Sequence, residues 1–180
     1  MSTQEKQINK ESGDLQILYS KLGKNIVMFQ KVEGLLKYLI SRSHVESLSD
    51  THELNIEKSL KKVSGQTLGN LCNQFIDSVF EEKFQDKSSS FTFSFHIDVP
   101  KEFIEKREKN LKKINSERNS LVHEIYENYD LSCIESRTKL EKKLCALETL
   151  LDSEFKMLKT LVEKVILSSK EFLENVKNQH

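Results

Sequence analysis

The sequence predicts an all-α protein: an antiparallel helical bundle of four to five helices, with a long C-terminal helix and one short extended segment. Three observations support this prediction. The 180 residues include only one proline and five glycines, so little interrupts helix formation. Apolar residues recur every three or four positions through most of the chain. Charged residues make up 31% of it, which is typical of amphipathic helices that keep one face in solvent.

The first half of the chain predicts a tail and two amphipathic helices. Residues 1–13 are polar, which indicates a flexible tail. A helical pattern of apolar residues begins at Asp14, a residue type that caps helix N-termini. The segment 41–62 is ambiguous, because its apolar residues are scattered among polar ones. A second helix is predicted over residues 65–84.

A short extended segment is predicted near the middle of the chain. Residues 91–98 alternate strictly between apolar and polar side chains, which is the period of a strand. No second segment with this pattern is evident as a partner. The segment either pairs with its own copy across a dimer or packs as an extended arm over a helix, and we favour the arm. His96 falls on the polar side and is expected at the surface.

Two more helices complete the predicted bundle. Pro100 stands where a helix would begin, and the helical pattern continues to residue 129. The last helix is predicted over residues 131–176. Its apolar residues follow a heptad pattern with one extra step of four, from Leu151 to Phe155. At 1.5 Å per residue this helix would be about 65–70 Å long.

Composition excludes several classes of function. The formal net charge is zero, so no overall field draws the chain to nucleic acid or to anionic membranes. No apolar run could span a bilayer and no signal peptide is evident, so we expect a cytoplasmic protein. Three cysteines without metal-ligand spacing fit a reducing compartment, and we expect neither a metal nor a cofactor. Residues 14–180 are predicted to form a single domain.

The most informative stretch runs from Arg118 to His123. On a helical wheel Arg118 lies at the centre of the apolar stripe, and one flank, the motif flank, contains Asn115, Asn119, His123 and Tyr126. An arginine in an apolar seam is costly unless an anion meets it, and an imidazole can transfer protons near neutral pH. This combination favours work on a phosphodiester. In the alternative interpretation the seam is simply partly solvated, since Arg107 lies on the same stripe.

Residues 117–124, Glu-Arg-Asn-Ser-Leu-Val-His-Glu, resemble the signature of the HEPN superfamily of small helical domains. That signature has an arginine, then a polar residue that is often asparagine, then a histidine a few positions later. The order of helices extends the resemblance to residues 14–176. It implies a metal-independent endoribonuclease that works as a homodimer through the motif helix. Many members are toxins of toxin–antitoxin or phage-defence systems, so the resemblance implies RNA as substrate and an antitoxin protein as a partner.

By this resemblance Arg118, Asn119 and His123 are the catalytic residues. One departure concerns a toxin branch that has a tyrosine two residues after the histidine, where a partner enzyme modifies it. Here Ile125 holds that position and Tyr126 follows, so this regulation is not carried over. Tyr126 is instead a candidate for stacking on a base, or else a half-buried packing residue.

Lys112 lies near the azimuth of His123, about three turns upstream on the wheel. It is a candidate contact for a flanking phosphate, or else a solvated lysine.

The mechanism that fits these residues needs no metal. The 2′-hydroxyl of RNA attacks the adjacent phosphorus and leaves a 2′,3′-cyclic phosphate. His123 would be the general acid or base, and Arg118 would stabilise the developing charge. Asn119 would orient the imidazole or the phosphate. Because Arg118 and His123 lie about 140° apart on the wheel, we expect two motif helices to cross in a dimer, with the seam as the interface.

Two other functions remain open. The first is a non-catalytic HEPN-like module for dimerisation or binding, in which Arg118 and His123 only make hydrogen bonds at an interface. The second is a coiled-coil assembly protein based on residues 131–176.

Overall fold

Helices form nearly all of the chain that the structure describes. The structure is a computed structural model and describes residues 3–47, 52–80, 91–94 and 97–177. Its elements are α1 (Thr3–Ser43), β1 (His44–Ser47), α2 (His52–Ser64), α3 (Leu68–Val79), β2 (Phe91–Ser94), α4 (Lys101–His123), α5 (Ile125–Asn128) and α6 (Ile134–Lys177). The all-α bundle with a long C-terminal helix is confirmed.

Helix α1 begins much earlier than the sequence pattern indicated. It starts at Thr3, so Asp14 lies inside the helix and does not cap it. The tail predicted for residues 1–13 is therefore wrong from Thr3 onward. Glutamine, glutamate and lysine dominate this stretch, and all three favour helix even where no apolar stripe marks it. A polar composition alone did not distinguish a tail from the first turns of a helix.

The helices do not all run antiparallel to their neighbours. Helix α4 is antiparallel to α6, since Arg107 pairs with Glu154 and Glu117 pairs with Lys143. Helices α1 and α6, however, run parallel, since contacts along both rise together, from Lys21–Glu141 to Lys31–Phe155. The prediction of an antiparallel bundle is wrong for this pair. The two helices therefore begin at the same end of the bundle.

The core is a single apolar cluster between α1, α3, α4 and α6. On α6 the fully or nearly fully buried positions are Leu140, Leu144, Leu147, Leu151, Glu154, Leu158, Leu161 and Val165. Their steps alternate strictly between four and three, which is an uninterrupted heptad pattern. The predicted extra step to Phe155 is wrong, because the core position there belongs to a glutamate that an apolar template passes over.

The extended segment finds its partner within the same chain. Phe91–Ser94 pairs antiparallel with His44–Ser47, with Val45 opposite Phe93. Both the arm and the pairing across a dimer are therefore wrong for these residues. The partner strand has only one large apolar residue in four, so no alternation identified it. His96 lies outside the described residues.

Candidate functional site

The motif lies at the C-terminal end of α4, where the helix breaks. His123 is its last residue, and Glu124 has φ −121° and ψ 8°. The helix therefore does not reach residue 129, and α5 is a separate single turn. Ile125, which takes the place of the tyrosine in the toxin branch, is buried in the core, and so is Tyr129. Because Ile125 and Tyr129 are both buried, the chain changes direction after His123. A helical wheel assumes one continuous helix and does not show this change.

An ion pair fixes this end of α4 to α6. Lys143 lies 2.8 Å from Glu117, the residue before Arg118, and over the ring of Tyr129. Burial by itself would lower the pKa of Lys143, but the contacts with Glu117 and Tyr129 together outweigh it and raise the pKa above its ordinary value. The lysine is thus held charged against a partly buried carboxylate. The backbone that carries Arg118 is anchored by a residue that sequence reasoning did not single out.

Arg118 lies on the buried stripe of α4, as predicted, but is itself only half-buried. Ile114 and Leu121, one turn away on either side, are buried. A guanidinium nitrogen of Arg118 donates to Oδ1 of Asn119 at 3.2 Å. Among the described residues no carboxylate forms an ion pair with Arg118. The cation therefore faces a cleft instead of an internal counter-ion.

That cleft, which we call the α3–α4 cleft, has a volume of about 420 Å³. It is lined by Glu33 of α1, by residues 65–69, and by Asn115, Arg118 and Asn119 of α4. Residues 65–69 include Thr67, whose side chain caps α3 by accepting from the backbone N–H of Asn70. The positive end of the α3 dipole thus borders the same cleft as the guanidinium. Both features favour negative charge there, and the carboxylate of Glu33 in the same lining is paired with Lys37.

Arg107 occupies the same stripe three turns earlier and has a different environment. It is buried, and its guanidinium lies 2.6 Å from Oε1 of Glu154, which is 0% exposed. Asn110 donates to the same oxygen at 2.6 Å. The interpretation of a partly solvated seam at Arg107 is therefore wrong. Sequence reasoning missed Glu154, although its heptad position between Leu151 and Leu158 marks it as a core residue.

The other predicted site residues lie outside the cleft. His123 is exposed on the adjoining surface and forms no hydrogen bond with any residue that the structure describes. Tyr126 is 78% exposed, so the alternative of a half-buried packing tyrosine is wrong. Lys112 is exposed and lies 2.5 Å from Glu108, one turn earlier on α4. The structure brings Arg118 and Asn119 together at the cleft, whereas His123, one turn after Asn119 on α4, is exposed and does not line it.

The seam of α4 is not a surface that a second copy could cover. Leu111, Ile114 and Leu121 are buried within their own chain. The prediction that the seam is the dimer interface is therefore wrong. The exposed surface around the end of α4 contains Asn119, Val122 and His123 of α4, and Tyr126 of α5. We call these four residues the α4 flank.

Within the ranges that the structure covers, no group of three or more His, Cys, Asp or Glu side chains could hold a metal ion. In the same ranges no helix is both long and apolar enough to cross a membrane. Comparisons of the chain with models of protein families, with curated proteins and with solved structures find no match. Fold and site together define a helical-bundle protein with a solvent-facing Arg-Asn pair beside an exposed histidine.

Proposed function

We propose that this protein is a metal-independent endoribonuclease of the HEPN type that works as a homodimer in the cytoplasm, as a toxin or defence effector. One observation carries the proposal: Arg118 lies on an apolar stripe without an internal carboxylate, whereas Arg107 on the same stripe has one. A stripe arginine without an internal anion is suited to an external one. A phosphodiester supplies that anion, and the exposed imidazole of His123 supplies a group that can transfer a proton.

The roles follow from the chemistry of each side chain. Arg118 holds the scissile phosphate through its forked guanidinium and stabilises the charge that develops on the phosphorane. Asn119, which accepts a hydrogen bond from Arg118, fixes the orientation of that fork. His123 is the general acid or base for attack by the 2′-hydroxyl and departure of the 5′-oxygen. The products are a 2′,3′-cyclic phosphate and a 5′-hydroxyl.

The dimer forms through the α4 flank. In one chain Arg118 lines the cleft and His123 does not, so we expect the two to act on one phosphate only across the dimer. Two α4 flanks that cross antiparallel would bring Arg118 close to His123 of the partner subunit. Val122 at 44% and Tyr126 at 78% exposure would supply apolar contact. Tyr126 also remains available for stacking on a base at the rim of the interface.

The decisive experiment is an RNA digestion in the presence of EDTA, followed by mapping of the product ends. We expect the wild type to produce cyclic-phosphate ends, and His123→Ala to lower kcat/KM about 10²–10⁴-fold. Lys113→Ala is the matched control, because it removes an exposed cation from the same helix. It should cleave as the wild type does. Cleavage by His123→Ala at the wild-type rate, with the same ends, would remove His123 from the chemistry.

The competing function is a non-catalytic binding module. The separation of Arg118 from His123 in one chain and the net charge of zero favour it. The variant Val122→Asp separates the two functions when the mass of the complex and RNA cleavage are measured together. The endoribonuclease requires that loss of the dimer abolish cleavage. A dimeric wild type that cuts none of a broad set of RNAs would support the module, with its protein partner still to be captured.

A further inference from the structure

The α3–α4 cleft has more hydrogen-bonding groups than a phosphate needs. Gln66, Asn115 and Asn119 contribute three carboxamides to its lining, and each carboxamide both donates and accepts. The carboxylate of Glu33 lies at the same wall and is held by Lys37 at 2.6 Å. Such a mixture is unnecessary for an anion alone. It matches a ligand that presents amino and carbonyl groups next to each other.

Asn115 is the central residue of this arrangement. It lies one turn before Arg118 and Asn119 on α4, and its side chain faces α3. Its amide forms no hydrogen bond with any residue in the described ranges, although the side chain is only partly exposed. A half-buried carboxamide without a partner leaves up to four hydrogen-bonding positions for a ligand. The polar atoms of this amide are accessible to solvent, and therefore also to a ligand.

Gly69 leaves the space that the Asn115 side chain occupies. A Cβ at this position would lie 3.0 Å from Nδ2 of Asn115 and 3.4 Å from its Cγ. Any larger residue would push the amide toward α4 and narrow the cleft. Glycine inside the first turn of α3 lowers helix propensity, so its presence fits a close approach between two elements. The position of Asn115 in the cleft therefore depends on Gly69.

We propose that the α3–α4 cleft is a nucleotide-binding site in which Arg118 holds the phosphate and Asn115, with the neighbouring carboxamides, reads the base edge. The volume of about 420 Å³ falls within the range of small-molecule sites. Carboxamides pair with base edges through one donor and one acceptor, and Glu33 is an acceptor for an exocyclic amino group. Insofar as this nucleotide belongs to the RNA substrate, the inference rests on the proposed function, and it assigns base preference to Asn115.

The test is isothermal titration of the full chain with AMP, GMP, CMP, UMP and inorganic phosphate. We expect the best nucleotide to bind at least about tenfold more tightly than inorganic phosphate, and the four nucleotides to differ among themselves. Asn115→Leu should remove most of that advantage and leave phosphate binding unchanged. Gly69→Ala should weaken the same nucleotide about three- to tenfold. Ser116→Ala, at an exposed neighbouring position, is the matched control.

Each result decides the proposal. The proposal is overturned if nucleotides bind no better than inorganic phosphate. It is also overturned if they do not bind at all to a protein whose unfolding transition shows that it is folded. Equal nucleotide affinity in the wild type and in Asn115→Leu also overturns it. Failure of the proposed endoribonuclease function is distinguishable from failure of the nucleotide site, because nucleotide binding does not require RNA cleavage. Nucleotide binding that depends on Asn115, without any cut RNA, leaves the site standing and removes the proposed reaction.

Discussion

The two halves of α4 differ in how the charge of an arginine on the apolar stripe is compensated. Each places an arginine on the apolar stripe of the helix. At the N-terminal end Arg107 is 6% exposed and is neutralised by Glu154 and its neighbour Asn110. At the C-terminal end Arg118 is half-buried, contacts Asn119 and faces a cleft with the positive end of α3 beside it. Arg107 is therefore part of the packed core, whereas Arg118 is accessible to an anion from outside the fold.

The difference shows how a charge in a seam should be interpreted. A buried cation must be compensated, because desolvation costs several kcal/mol by general estimates. Where the facing helix supplies a carboxylate, as α6 does through Glu154, the arginine is structural. Where no described carboxylate forms an ion pair with the arginine, as at Arg118, the compensating anion comes from outside the fold. The facing residue, and not the arginine itself, decides which case applies.

The largest expected effect tests this division directly. Arg107→Met should lower the free energy of unfolding by about 3–5 kcal/mol, because it leaves Glu154 buried without a counter-ion. Arg118→Met should lower it by about 1 kcal/mol or less, because methionine keeps the apolar stem and no internal carboxylate is left unpaired. Urea unfolding of the two variants and the wild type gives both numbers. Equal losses would mean that Arg118 is also structural.

The second effect isolates the buried pair. Arg107→Met combined with Glu154→Leu should recover most of the loss and return stability to within about 1 kcal/mol of the wild type. Because the double variant should lose less than Arg107→Met alone, the two substitutions should be coupled by at least about 2 kcal/mol in a double-mutant cycle. Asn110 loses its acceptor, but it is only half-buried and water can replace the carboxylate. Additive losses in the cycle would contradict a direct interaction between the two charges.

A smaller effect concerns Cys72, which packs α3 against α4 between the two ends. Its Sγ lies 3.8 Å from the carbonyl oxygen of Leu111, and burial raises the pKa of the Cys72 thiol from 9.0 to about 12. Between these values the folded state keeps a proton that the unfolded state releases, so stability falls as pH rises. From pH 8 to pH 10 we expect a loss of about 1 kcal/mol that Cys72→Ala does not show.

This comparison uses the slope of stability against pH and not its absolute value, because Cys72→Ala also removes packing volume. Identical slopes for the two proteins would show that the thiol does not control the alkaline loss.

The smallest effect concerns Lys112. Its ion pair with Glu108 is exposed, so Lys112→Ala should change the free energy of unfolding by about 0.5 kcal/mol or less. If Lys112 contacts a flanking phosphate, the variant should cleave RNA about twofold more slowly at low salt and equally at high salt. Rates measured at two salt concentrations decide this. A reduction that does not depend on salt would exclude a role through charge.

Local patterns predicted much of the fold. Helix α6 was predicted over 131–176 and is found at Ile134–Lys177, because its apolar residues repeat over many turns. Helix α4 begins at Lys101 after Pro100, as predicted from the preference of proline for helix starts. Where no such signal existed the boundary was wrong, as at Thr3. A polar helix and a polar tail have similar compositions, so composition did not indicate that α1 begins at Thr3.

The candidate site could be predicted only in part. Arg118, Asn119 and His123 were found as a motif, and the position of Arg118 on the stripe was confirmed by its buried neighbours Ile114 and Leu121. Their relation to the rest of the fold could not be predicted. Asn115 carried no signal beyond its place on the motif flank, and Gly69 carried none, because their proximity requires that α3 and α4 pack antiparallel at one register.

The sequence by itself determined the helices that carry an apolar stripe and which polar groups share a helix face, because both follow from a period of 3.6 residues along one segment. Only the tertiary structure decided what each face meets. It set Glu154 against Arg107, paired Phe91–Ser94 with His44–Ser47, and placed α3 beside Arg118. These environments depend on side chains that are distant in sequence. They decide whether a buried charge destabilises the fold or can bind a ligand, and the segment that carries the charge does not.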